Sequence, residues 1–237
     1  MGKKNHDVRV LMHRAFAVFL TVFLISDVGR VYASRNLEII PQQGEAQADA
    51  TEAEAIKLMQ EGLQLQKQGI KESLLIARNK FEAALVLWKK LGDKKLQAVT
   101  RNNIGGVYDA LGEKQKAIQN FKQALPLSRA VEDKRYEAAI LNNIGGVYSD
   151  LGEKQKALQY FNQALPLSRA VRDREREAYI LNNIGSVYWG LGKNQKALQY
   201  YNQALPILRV VENRGMEATT LHNIGSVYNS LGENQKG

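Results

Sequence analysis

The stretch from Leu141 to Arg169 reads LNNIGGVYSDLGEKQKALQYFNQALPLSR, and it decides the fold. Leu141, Ile144, Gly145 and Tyr148 fall at i, i+3, i+4 and i+7, one face of an α-helix. Gly152 offers the positive φ that a helix C-terminus often needs. Ala157, Phe161 and Ala164 then follow at i, i+4 and i+7, the face of a second helix. Small residues on the two facing stripes allow close approach, with the Phe161 ring filling the gap.

Working outward, the same string recurs at a spacing of 40 residues, with its Asn-Asn-Ile-Gly opening at Asn102, Asn142 and Asn182. A fourth copy opens as His222-Asn223-Ile224-Gly225. Residues 98–137 and 138–177 share 28 of 40 positions, so the two units have one structure. A fixed period in this range means a stack of small units, none able to bury its apolar face alone. The expected organisation is an array over 51–237, with units at about 53–94, 98–137, 138–177 and 178–217 and a partial unit at 218–237. Asp93, Asp133, Asp173 and Asn213 recur where an N-cap is needed. Pro126, Pro166 and Pro206 fall inside the second helices, where each removes a backbone donor.

The first unit diverges. Leu58, Gly62, Leu65 and Gly69 fit the first-helix pattern, and Ala77, Phe81 and Ala84 fit the second. Three extra residues lie between Gly69 and Ala77, as suits a terminal unit that closes the stack. At the other end, Leu231-Gly232-Glu233-Asn234-Gln235-Lys236 opens another second helix and then stops at Gly237, so the sequence reads as truncated or as the front part of a longer protein.

Residues 1–33 read as an export signal. Lys3, Lys4, Arg9 and Arg14 precede an apolar run from Ala15 to Ile25, and Val31-Tyr32-Ala33 suits cleavage before Ser34. That run spans about 16 Å as a helix, short of the roughly 30 Å hydrocarbon core. The expected location is periplasmic or extracellular, with membrane anchoring through residues 15–25 as the alternative if the segment stays uncleaved. Residues 34–50, polar and without sustained periodicity, read as a linker. Thr51-Glu52-Ala53-Glu54 fits a capping box that would open the first helix.

Composition narrows the chemistry. The 237 residues include no cysteine and three histidines, His6, His13 and His222. Disulfides and cysteine nucleophiles are excluded, and no zinc spacing or phosphate-binding glycine loop occurs. The reading is not an enzyme, with no cofactor and no metal. The net charge of +9 falls to about +6 once residues 1–33 are removed, and the repeat charges are mixed in sign, which argues against nucleic acid.

Leu141, Ile144, Gly145, Tyr148, Gly152, Ala157, Phe161 and Ala164 match the tetratricopeptide repeat pattern in order and spacing. The resemblance covers Ala53 to the C-terminus and implies an all-α fold, a right-handed α-solenoid of antiparallel helix pairs. The period departs from the usual 34 residues, with the extra length assigned to the second helix and its connection. More loosely, these long units resemble kinesin-light-chain-type repeats. They also look like the arrays that precede caspase-like CHAT domains in bacterial proteins, which gives an alternative reading as the recognition part of a longer protease.

The resemblance further implies that first helices line a concave groove. Its inward residues would be Asn102, Asn142, Asn182 and His222, beside Asn103, Asn143, Asn183 and Asn223. Carboxamides donate and accept, so such a row suits an extended peptide or a helical segment. Tyr179 and Trp189 add aromatic character to one unit, as binding hot spots do. The basic residues of a carboxylate clamp are missing from these positions. Arg129, Arg169 and Arg209 sit instead at the ends of second helices, where the dipole favours a cation. The expected function is a protein-interaction scaffold with a protein or peptide partner.

Overall fold

The computed structural model describes residues 43–234, and among these it is helical apart from short connections. The export signal, the proposed cleavage point and the first part of the linker lie outside the described residues. Nine helices occur among the described residues: α1 Gln43–Gln68, α2 Lys71–Lys90, α3 Lys94–Ala110, α4 Lys114–Ala130, α5 Lys134–Asp150, α6 Lys154–Ala170, α7 Arg174–Gly190, α8 Asn194–Val210 and α9 Arg214–Asn234. None of them is long and apolar enough to cross a membrane.

From α3 to α8 every helix has 17 residues and every connection three. The length beyond a shorter repeat is therefore divided between both helices, not lodged in the second as expected. The helix pairs also begin at 94, 134 and 174, four residues ahead of the boundaries read from the repeat. Their starts are fixed by the expected caps. Asp93, Asp133, Asp173 and Asn213 accept through Oδ1 from the backbone N–H of Leu96, Tyr136, Arg176 and Met216 at 2.8–3.1 Å.

From α3 to α8 the helix ends are equally regular, whereas α9 runs on through Gly232 to Asn234, where the repeat pattern predicts a turn and the start of a second helix. Gly112 N–H donates to Asp109 O, and Glu113 N–H reaches Tyr108 O, the paired bonds of a Schellman turn. Gly152 and Gly192 close their helices the same way, all with φ above +70°. The connections after α4, α6 and α8 use the same bonds without glycine, placing Glu132, Arg172 and Glu212 at φ of 53°, 52° and 55°. The internal prolines do not end their helices. They sit on exposed faces, where water can meet the carbonyl that has lost its donor.

The linker reading fails at its end. Helix α1 begins at Gln43, and Thr51 lies within it, donating its hydroxyl to the Gln47 carbonyl. Glutamine, glutamate and alanine dominate residues 43–50 and are good helix formers, so no cap is needed at Thr51. The three extra residues of the first unit extend α2 to 20 residues by adding almost one turn.

The chain divides into two compact units at Leu127/Ser128, with α4 carrying the boundary. In the first unit α1 packs on α2 and α2 on α3. In the second, α5 to α9 pack in succession, and α5, α7 and α9 also touch one another in order. Each pair is keyed by a glycine under an aromatic ring. A Cβ at Gly62, Gly105, Gly145 or Gly185 would lie 2.6 Å from Cε1 of Phe81, Phe121, Phe161 or Tyr201 respectively. The four rings are at most 2% exposed, so these keys sit in the core between the helices of a pair.

Candidate functional site

In the second unit, four of the asparagines expected to line a groove form joints between successive first helices. Asn142 and Asn182 are only 1% and 4% exposed. Asn183 Nδ2 donates to Asn142 Oδ1 at 3.0 Å, tying α7 to α5. Asn182 Oδ1 accepts from Thr220 Oγ1 at 3.2 Å and Asn223 Nδ2 at 3.4 Å, tying α7 to α9. Neighbouring residues on a helix point about 100° apart, so 182 reaches the following helix while 183 reaches the preceding one. The ligand-facing reading of Asn142 and Asn182 is corrected accordingly, since a buried carboxamide must find its partners inside the protein.

In the first unit Asn102 and Asn103 are also buried, at 3% and 1% exposure. Met59 of α1 takes the place that Asn142 holds relative to α7, and the Thr100 hydroxyl points at its sulfur at 3.2 Å. With a thioether there, Asn103 has no partner among the described residues for either Oδ1 or Nδ2. Exchanging the amide for leucine should separate the two environments. We expect Asn103→Leu to be neutral or stabilising, whereas Asn183→Leu costs about 1–3 kcal/mol. Urea denaturation of both variants checks this, and an equal loss would mean that Asn103 is hydrogen-bonded through water.

On α7 and α9 the reachable surface lies between the two amide positions. On α7 the helical period puts Glu175, Tyr179 and Ser186 on one stripe flanked by Asn182 and Asn183. Arg135, Ala139 and Gly146 hold the same positions on α5, where Ala139 is buried, and Gly215, Thr219 and Ser226 hold them on α9. Glu175, Tyr179, Ser186, Gly146, Asn143 and Asn183 are all half-buried, hence reachable at the surface. Sequence reasoning missed Gly146, Ser186 and Glu175. The same 3.6-residue period marks them once the stripe is rotated by about half the angle between neighbouring residues.

The aromatic candidates divide. Tyr179 is half-buried on the stripe, its hydroxyl accepting from Asn213 Nδ2 at 3.1 Å. That same amide donates to Glu175 Oε1 at 2.6 Å, so the N-cap of α9 braces the stripe of α7. Burial pushes the Tyr179 phenol above its ordinary pKa, so it is a neutral hydroxyl at physiological pH. Trp189 points elsewhere and packs on the core formed by Ala197, Leu198, Tyr201 and Val227. Of the last two candidates, His222 is exposed on α9, while Asn223 is buried against Asn182. Among the described residues no cluster of histidine and carboxylate side chains could hold a metal ion.

A family model described as tetratricopeptide repeat matches residues 70–130, 115–170, 136–209 and 176–236. No curated protein matches the chain in sequence. Among solved structures, BtubC (BKLC) from P. vanneervenii is similar at 20% identity with a TM-score of 0.61, covering 83% of this chain and 87% of that one. A Rap protein complexed with competence and sporulation factor has 20% identity and a TM-score of 0.65, covering 77% of this chain and 50% of its own. A putative kinesin light chain of Podosopora anserina with nearly identical repeats has 15% identity and a TM-score of 0.61, covering 77% and 90%. At these identities the structural likeness is one of fold.

Proposed function

This chain belongs to the tetratricopeptide repeat family, a protein-interaction scaffold by its repeats, and from that premise we propose that α5, α7 and α9 bind a peptide segment of a partner protein. The observation carrying this reading is the stripe between the amide joints. Gly146, Ser186 and Ser226 are small and reachable at one register, so another backbone can come close there. Tyr179 stands beside them as a rigid, partly buried aromatic. Such side chains dominate binding energy because they offer contact area at little conformational cost. The half-buried Asn143 and Asn183 edge the same stripe with carboxamides. The Rap structure, similar in fold, was determined with competence and sporulation factor bound, which agrees with a ligand-binding use of such an array. Export of the chain, as residues 1–33 suggest, would put this face outside the cytoplasm.

Peptides selected from a random displayed library against the full chain test the proposal. We expect Tyr179→Ala to weaken the selected peptides by about 2 kcal/mol, the loss of a hot-spot aromatic. Ser186→Trp, which fills the stripe, should weaken them at least as much. Gln163→Ala on the exposed face of α6 should leave them unchanged. Retained binding in both stripe variants, with loss in Gln163→Ala, would move the site to the second helices. Circular dichroism of each variant separates lost binding from lost fold.

A further inference from the structure

The connection between α6 and α7 differs in charge from its counterparts on either side. Arg169, Arg172, Arg174 and Glu177 line one open depression there. Glu177 is 5% exposed and holds two guanidiniums, Arg169 Nε at 2.8 Å and Arg174 Nη1 at 3.0 Å. Arg172 rises from the connection at φ 52°, with no carboxylate partner among the described residues. The corresponding four after α4 are Arg129, Glu132, Lys134 and Glu137, two cations against two anions. After α8 they are Arg209, Glu212, Arg214 and Glu217, again balanced. The backbone turn and the Arg–Glu pair are the same in all three, with Arg129–Glu137 at 2.7 Å and Arg209–Glu217 at 2.8 Å. Of these three frames, only the one after α6 carries three guanidiniums against one carboxylate, an excess of two positive charges.

The groups around it do not cancel that excess. Asp173 is already engaged by Arg176 at 3.1 Å and Arg135 at 3.8 Å, and Glu175 accepts from Asn213. These two carboxylates and two guanidiniums are balanced among themselves. A forked guanidinium meets two oxygens of one anion at once, and two excess charges suit a dianion better than a single carboxylate. A phosphoryl group carries about −1.5 to −2 charges at neutral pH with three acceptor oxygens.

We propose that Arg169, Arg172 and Arg174 form a binding site for a phosphoryl group, with Arg172 as the residue that creates it. Arg169 and Arg174 are held in place by Glu177 and keep other donors free for the ligand. Arg172 supplies the third guanidinium from a backbone position that nearly identical repeats give to glutamate. The group is either free phosphate or a phosphorylated side chain of a protein partner. The site shares no residue with the stripe of α7, so Ser186→Trp should leave it unchanged, and the two readings fail separately.

Titration of the full chain with inorganic phosphate, followed by NMR of the arginine side chains, tests the site. One saturable equivalent is expected, weakened about tenfold or more in Arg172→Glu, as loss of a charged hydrogen bond implies. Glutamate occupies that turn position in two other repeats, so the variant keeps the fold. Arg172→Gly suits the positive φ and should weaken phosphate by about the same bond alone. The reverse change, Glu212→Arg, should add a second equivalent after α8. A phosphoserine peptide bound more tightly than free phosphate, with its unphosphorylated form silent, assigns the group to a protein partner; equal affinities assign it to the free anion. The proposal is overturned if phosphate does not saturate, or if Arg172→Gly and Arg172→Glu bind it as the wild type does.

Discussion

Replacing Asp173 by alanine is expected to destabilise the second unit by about 3–5 kcal/mol, the cost of leaving one member of a buried ion pair alone. Besides lying 3.8 Å from Arg135, Asp173 does two things within α7. Its Oδ1 caps α7 through the Arg176 N–H, and its Oδ2 lies 3.1 Å from Arg176 Nε. The two side chains are 4% and 7% exposed, so the arginine could not recover its lost partner from water. Asp133 caps α5 with the same geometry, but Tyr136 stands where α7 has the arginine. There the alanine variant removes a cap bond but leaves no buried arginine behind at position 136, so it should cost less than Asp173→Ala. Arg176→Tyr, which restores the combination of the preceding repeat, leaves Asp173 with its cap bond and Arg135 at 3.8 Å and should cost less than Asp173→Ala. Urea denaturation with hydrogen exchange in α7 measures all three, and equal losses at Asp133 and Asp173 would show that the buried pair adds nothing to the cap.

Gly145→Ala should cost about 1–3 kcal/mol through overpacking, although alanine is the better helix former. The added Cβ would lie 2.6 Å from Phe161 Cε1 and 2.7 Å from Cδ1, far inside van der Waals contact. The ring is 1% exposed and has nowhere to go. Gly225 holds the same place in α9, yet a Cβ there meets nothing within 4 Å. Gly225→Ala should therefore stabilise by about 0.5–1 kcal/mol, the plain difference in helix propensity. One substitution at two copies of one motif residue thus has opposite signs. A loss at both positions would mean that α9 packs in solution as α5 does.

These two contrasts also show what could be read in the sequence. The glycine–aromatic keys, the caps and the helix ends were legible, because each depends on residues close in the chain or repeated at one spacing. Gly145 and Phe161 announce a close helix pair before any coordinates are drawn. The roles of the asparagines were not legible. A 3.6-residue period shows that Asn142, Asn182 and their neighbours share a side of the helix, but not how far that side is turned toward the next repeat. A rotation of about 50° decides between a groove and a joint. Thr51 misled for a related reason: a threonine with glutamate three residues on marks a helix start only when the residues before it resist helix, and Gln43–Ala50 do not. The arginines after α6 were visible as a departure from the repeat, yet their convergence required the shape of the turn.

That turn bears on how such an array can vary. Glu132, Arg172 and Glu212 hold a left-handed backbone that glycine would adopt more readily, at about 1 kcal/mol less strain. Gly92, in the matching turn of the first unit, shows that glycine fits. Glycine, however, is mute: it has no side chain with which one repeat can differ from the next. By tolerating a little strain, each of these turns keeps an addressable letter at a fixed place, framed by an unchanged Arg–Glu pair. Copies of one unit can then acquire separate surface identities through single substitutions, while the helices that bear them remain interchangeable.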